Sequence, residues 1–191
     1  MLTDAELFAF LPSNQQARLA SAIGRRLVEV ERLFTLDVAA FRSYTRFAAE
    51  EYFARNSGPA QFRFEGGETH PLAVWGEQLS IIVLPEPLTT DGDATLYKLT
   101  EIAPPPHRLR ACLGWVCNDV RIWTLREDFA SEEAKQVAVS YLFSGGGELF
   151  YATYLHGDLS ADYLLPGEDI PRESVAACFS IAAGGYIDAG A

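Results

Sequence analysis

The side chains that could do chemistry fall into a few small groups. His156 stands two residues before Asp158 and six before Asp162, and His70 has Glu65 and Glu68 nearby. An imidazole beside carboxylates can relay a proton or hold a metal ion. Neither group has the paired histidines, four residues apart, that place two ligands on one helix face. Both therefore read as polar residues of turns and of the surface, and no metal ligand is assigned. Cys117 and His107 would form a nucleophile pair only if the fold brought them together, and their spacing gives no reason for it. Gly145-Gly146-Gly147 would cradle a phosphate if it opened a helix beside a basic residue. Glu148 follows instead, ahead of a strand-like segment, so the glycines read as a hairpin loop. No catalytic residue and no cofactor is expected.

The string His156-Gly157-Asp158-Leu159 continues into the apolar Leu164 and Leu165. It resembles the catalytic loop of aminoglycoside phosphotransferases and choline kinases, H-G-D-L-x-x-x-N followed by apolar residues. The resemblance implies that Asp158 would receive the proton of a substrate hydroxyl and that Asp188 would echo a later metal-binding aspartate. It spans about a dozen residues. Tyr163 stands where that family has its metal-binding asparagine, and neither Lys98 nor Lys135 follows a glycine-rich loop. A pocket near His156 and Asp158, binding a small molecule or acting as an enzyme, is thus the alternative reading rather than the leading one.

Charge gives the leading one. The 191 residues carry 26 acids against 15 Lys and Arg, a net charge of −11. Residues 1–60 hold seven of each sign; residues 127–191 hold eleven acids against two bases. Such a chain repels phosphate, so no nucleic acid is expected as partner. With 49% hydrophobic and 12% aromatic residues it is too apolar to be a disordered acidic tail. Its densest apolar run, Leu79–Leu84, is far short of the roughly 20 residues of a membrane span, so no membrane is expected either. Asp4 and Glu6 lie where an export signal would be apolar. The three cysteines, an odd number without ligand spacing, fit buried thiols in a reducing compartment. A cytoplasmic location is therefore expected.

The elements that must position these residues are read from periodicity. Leu19, Ile23, Leu27, Val30 and Phe34 repeat at helical spacing, although 27–30 also alternates as a strand would. Asp37 is a candidate N-cap for a second helix through Phe41, Tyr44, Ala48 and Tyr52, stopped at Asn56-Ser57-Gly58-Pro59. Gln61–Glu65 then alternates with period two, and Leu79–Leu84 and 94–102 are strand candidates. Asn118-Asp119 is read as a hairpin turn, with Trp115 opposite Ile122, Arg110 opposite Glu127 and Gly114 covered by Trp123. Ser131 is a helix start, 149–155 is β-prone, and Arg172–Ile181 is expected to be helical. The fold expected is α+β: one domain over 1–191, with N-terminal helices (1–58) packed on a mainly antiparallel β-sheet (59–191) and a mixed C-terminal segment.

The function expected is that of a non-enzymatic, acidic protein-binding module. Glu148, Asp158, Asp162, Glu168, Asp169 and Glu173 would steer a basic protein partner, and Tyr151, Tyr154 and Tyr163 would supply contact area. A small intracellular inhibitor or immunity-type protein that neutralises a basic partner, such as a bacterial toxin, has this size and charge. A secretion chaperone or an assembly subunit would share them.

Overall fold

Strands dominate the chain, in two antiparallel sheets of five and six strands. The computed structural model describes residues 4–34, 48–55, 58–76, 79–90, 94–125, 135–153, 162–170 and 175–187. The first sheet has the order β4-β3-β2-β1-β5, from β1 (Leu27–Phe34), β2 (Ala60–Phe64), β3 (Thr69–Trp75), β4 (Ser80–Val83) and β5 (Thr95–Lys98). The second has the order β11-β10-β6-β7-β8-β9. Its strands are β6 (Cys117–Leu125), β7 (Gln136–Phe143), β8 (Glu148–Thr153), β9 (Asp162–Pro166), β10 (Val175–Ser180) and β11 (Gly185–Ile187).

Alternation along the strands decides the packing. Val30, Phe62, Phe64 and Leu72 from the first sheet share one buried cluster with Val120, Ile122, Val139, Tyr141 and Leu149 from the second. The contact between sheets is aromatic: the Tyr141 ring lies 4.5 Å from Phe62 and 5.4 Å from Phe64. The intervening residues of the second sheet, among them Trp123, Ala138, Phe150, Tyr163 and Leu165, form a second buried cluster. That sheet is buried on both faces, which explains its near-continuous apolar strands.

The sheets join at a corner. Ahead of β1, Gly24 N–H donates to the Cys117 carbonyl at 2.8 Å and Leu27 N–H to that of Trp115 at 3.0 Å. Gly114 and Cys117 return bonds to Leu27 and Arg25. The start of β1 thus carries the ladder of one sheet into the start of β6 in the other.

The expected α+β class is corrected by this arrangement: the described residues are mostly strand in two sheets, and their helices are too short to form a helical layer on one sheet. Four short α-helices are described: α1 (Asp4–Ala9), α2 (Gln16–Ala20), α3 (Ala49–Ala54) and α4 (Leu99–Ile102). The stripe from Leu19 to Phe34 breaks at Gly24, whose φ of 84° suits glycine, and its second half becomes β1. Asn118-Asp119 is no turn but lies within β6, whose neighbours are β10 and β7; Ile122 pairs with Val139 and Trp123 with Ala138. Gly114 bonds Leu27 instead. Residues 175–180, expected to be helical, form β10. The proposed caps Asp37 and Ser131 lie outside the described residues. No helix among those residues is long and apolar enough to cross a membrane.

Candidate functional site

The nine residues expected to bind a partner separate into distinct environments. Tyr154, Asp158 and Glu173 lie outside the described residues, as does His156. Tyr151 and Tyr163 point into the two buried clusters, at 0% and 6% exposure. Glu148 is buried on the second sheet, where it accepts from Ser140 Oγ at 2.7 Å and lies 3.6 Å from Arg121. Ser140 in turn accepts the Trp123 indole N–H at 2.8 Å. Arg121 donates onward to Asp119, which also takes the Ser180 hydroxyl at 2.8 Å. Glu148 is thus one member of a satisfied network that ties four strands together.

Asp162 belongs to another internal junction. Its Oδ2 accepts from Gly58 N–H and lies 3.2 Å from the Tyr151 hydroxyl, while its main-chain carbonyl accepts Arg32 Nη2–H at 2.7 Å. Arg32 has 0% exposure and also donates to the carbonyls of Phe53 and Gly58. Burial holds the Asp162 carboxyl above its ordinary range, against the opposing pull of Arg32 and of the bonds from Gly58 and Tyr151. The side chains here are spent on closing the fold.

Of the six that are described, only Asp169 lines a surface hollow, and Glu168 stands beside it at the same arginine. Asp169 accepts two bonds from Arg108, at 2.9 and 2.7 Å, and Glu168 lies 3.4 Å from the same guanidinium. The paired Asp169 raises the Arg108 pKa further above its ordinary value. The hollow, about 120 Å³, opens between α3, the 3-10 turn at Arg108–Cys112 and the end of β9. Its walls carry Glu50, Glu51 and Asp169 against Arg55 and Arg108, over an apolar floor of Leu109, Leu164 and Leu165. Sequence reasoning missed Glu50 and Glu51, because the N-terminal third is neutral overall. The signal was local: two adjacent acids opening a helix.

His70 and Ser21 are the one described serine–histidine contact, and their wiring is wrong for a nucleophile. The Ser21 hydroxyl donates to the Arg18 carbonyl at 2.5 Å, so its oxygen can only accept from His70 Nε2, 3.2 Å away. Nδ1 then accepts the Tyr141 hydroxyl proton at 3.0 Å. A histidine that donates to the serine cannot take its proton. Burial, reinforced by Arg18, pushes the His70 pKa down to about 3. Cys112, Cys117 and Cys178 are all buried with free thiols. No group of metal-ligating side chains occurs among the described residues. The chain matches no protein-family model, no curated protein and no solved structure.

Proposed function

We propose that the chain is a non-enzymatic binding protein, of the inhibitor or immunity type, that receives a cationic segment of a protein partner in the hollow beside α3. The observation that carries this reading is the set of carboxylates that line that hollow, Glu50, Glu51 and Asp169, with Glu168 close to Arg108 of the same lining. Among the described residues Glu50 and Glu51 have no ion-pair partner, so their field is directed at solvent. A net charge of −11 draws a basic surface toward the molecule. Ala54, half-buried in the lining, then offers apolar contact to the aliphatic stem of an arriving lysine or arginine, while Leu109, Leu164 and Leu165 are buried. Tyr151 and Tyr163 have no part in this version of the surface, because their rings fill the interior.

A fluorescent peptide of alternating lysine and arginine tests the reading. Its affinity should fall steeply between about 20 and 200 mM salt, as screening lengths shrink toward molecular contact distances. Reversing Glu50, Glu51 and Glu168 to lysine should weaken binding at least about tenfold. Reversing the exposed Glu65, Glu86 and Glu101, which lie elsewhere, should cost much less. Equal losses from the two triple variants would mean that net charge alone binds the peptide, and the hollow would be rejected.

A further inference from the structure

We infer that a second hollow, beside the first, binds a small organic anion with a flat apolar body, of the aromatic carboxylate class. This hollow has a volume of about 500 Å³, within the 300–1,000 Å³ range common for small-molecule sites. Pro105, Pro106, Ala111 and Leu113 give it apolar walls. Arg108 and Arg110 supply the charge, and no carboxylate lines it. In a chain of net charge −11, residues 102–118 contain no acid at all. The lining itself is therefore cationic, although Asp169 and Glu168 approach Arg108 from the neighbouring hollow.

The two arginines have different parts. Arg108 is already held by Asp169, so it contributes mainly its stem and a partly neutralised field. Arg110 donates Nη1–H to the Ala103 carbonyl at 3.0 Å, which fixes the guanidinium in place. Among the described residues it meets no carboxylate within ion-pair distance. A half-buried, positioned guanidinium with donors to spare is a carboxylate receptor, because its planar fork matches the two oxygens. His107 accepts the Leu109 N–H on Nδ1 at 3.3 Å, which puts the proton of the neutral ring on Nε2 and adds one more donor to the wall. Inorganic phosphate would leave most of the volume and all of the proline surface unused. An apolar body bearing one carboxylate satisfies both halves of the hollow.

The test measures binding of 2-naphthoate, 2-naphthamide and acetate to the full chain by calorimetry or ligand-observed NMR. Naphthoate should bind about tenfold more tightly than the isosteric amide, the difference expected of one charge-assisted contact. Acetate, lacking the apolar body, should bind more weakly than either. Arg110→Gln should bring naphthoate down to the level of the amide. Since Arg110 also clips a loop, Ala111→Glu provides a second variant: position 111 is exposed, so the fold tolerates the change while the new carboxylate repels the anion. Equal binding of naphthoate and naphthamide, retention of naphthoate by both variants, or absence of naphthoate binding at millimolar concentration would each overturn the assignment. So would a preference for an acidic peptide that naphthoate does not displace. The outcome is independent of the cationic-partner reading, whose readout is the Glu50, Glu51 and Glu168 variant.

Discussion

Arg32 on β1 donates its Nη2–H to the main-chain carbonyl of Asp162 on β9, 130 residues away, at 2.7 Å. The same guanidinium holds the end of α3 through Phe53 and the following segment through Gly58. The Tyr151 ring lies beneath it, 5.9 Å from centroid to the guanidinium carbon. One side chain therefore gathers three stretches of chain, reinforcing the isolated β-bridge between Arg55 and Tyr163 that also ties the end of α3 to β9. Burial lowers its pKa, and Tyr151 and Asp162 oppose the shift.

Replacing Arg32 should be among the most damaging single changes. Arg32→Met leaves buried carbonyls without donors and should cost about 3–5 kcal/mol. Arg32→Lys keeps the charge but cannot reach all three carbonyls from one ammonium, so it should recover only part of the loss. Urea unfolding midpoints of the two variants check this; a midpoint for Arg32→Lys equal to wild type would show that charge alone suffices.

Gly58 is needed at the same junction for a steric reason. A β-carbon there would fall 2.3 Å from the Leu33 carbonyl oxygen, which belongs to the backbone of β1 and cannot swing away. Gly58→Ala should therefore destabilise the protein by about 1–3 kcal/mol, the usual range for overpacking, and should separate the 58–59 segment from β1. Amide exchange at Leu33, whose N–H donates to the Pro59 carbonyl at 3.0 Å, should accelerate more than exchange across β7 and β8.

What could be read from the sequence follows from which signals are local. The strands at 60–64 and 80–83 carry their alternation and their terminating Gly or Pro within a few residues, and both lie close to where that pattern puts them. The stripe from Leu19 to Phe34 misleads because an eight-residue strand buried on both faces shows apolar residues at helical spacings as well. The Asn118-Asp119 turn fails for a tertiary reason: Asp119 is needed inside β6, where Arg121, Ser180 and the Ala182 N–H surround its carboxylate. In the same way Glu148, Tyr151 and Asp162 look like surface residues until their long-range partners are known. The excess of 13 Arg over 2 Lys also gains a physical reading. Arg18, Arg25, Arg26, Arg32 and Arg110 all donate to main-chain carbonyls, a task for a forked donor, and so leave carboxylates elsewhere without a counter-charge.

His70 should make the protein acid-sensitive with a definite sign. Its pKa falls from 6.5 to about 3 on folding, chiefly through burial. Below pH 6.5 the unfolded chain takes up a proton that the native chain refuses, so stability falls as pH falls, down to about pH 3, where the loss levels off. The slope from this one group is about 1.4 kcal/mol per pH unit. Asp162, held above its ordinary range, acts in the opposite direction over the carboxylate range. His70→Gln should flatten the dependence between pH 6 and 4 by about that slope, whatever it does to stability at pH 7. Parallel pH profiles for the two proteins would show that His70 titrates unhindered.

The thiols should be silent in the native state. Burial pushes Cys112 up to about 11 and Cys117 up to about 12, so neither supplies thiolate at neutral pH. A disulfide-exchange reagent should label neither thiol at pH 7.5 until denaturant is added. Rapid native labelling at position 112 or 117 would contradict the packing described.

Trp115 offers a way to watch the β7–β8 turn directly. Its indole lies across the glycines of that turn: a β-carbon at Gly145 would sit 1.8 Å from the ring, and one at Gly147 would also meet the Cys112 sulfur at 2.9 Å. Indole covering glycine is the device expected at Gly114, but it operates on the turn that follows the neighbouring strand. At 37% exposure Trp115 is the most accessible of the three tryptophans, since Trp75 and Trp123 are buried. Gly145→Ala should therefore expel the ring, shift the emission to longer wavelength and cost about 1–3 kcal/mol. Gly146→Ala is the control. Gly146 has φ of 83° and nothing within 4 Å of its missing β-carbon, so alanine there should cost roughly 1 kcal/mol in backbone strain and leave the emission unchanged. If both variants shift the spectrum equally, the turn conformation rather than the indole contact governs the signal, and the direct packing of Trp115 on Gly145 is wrong.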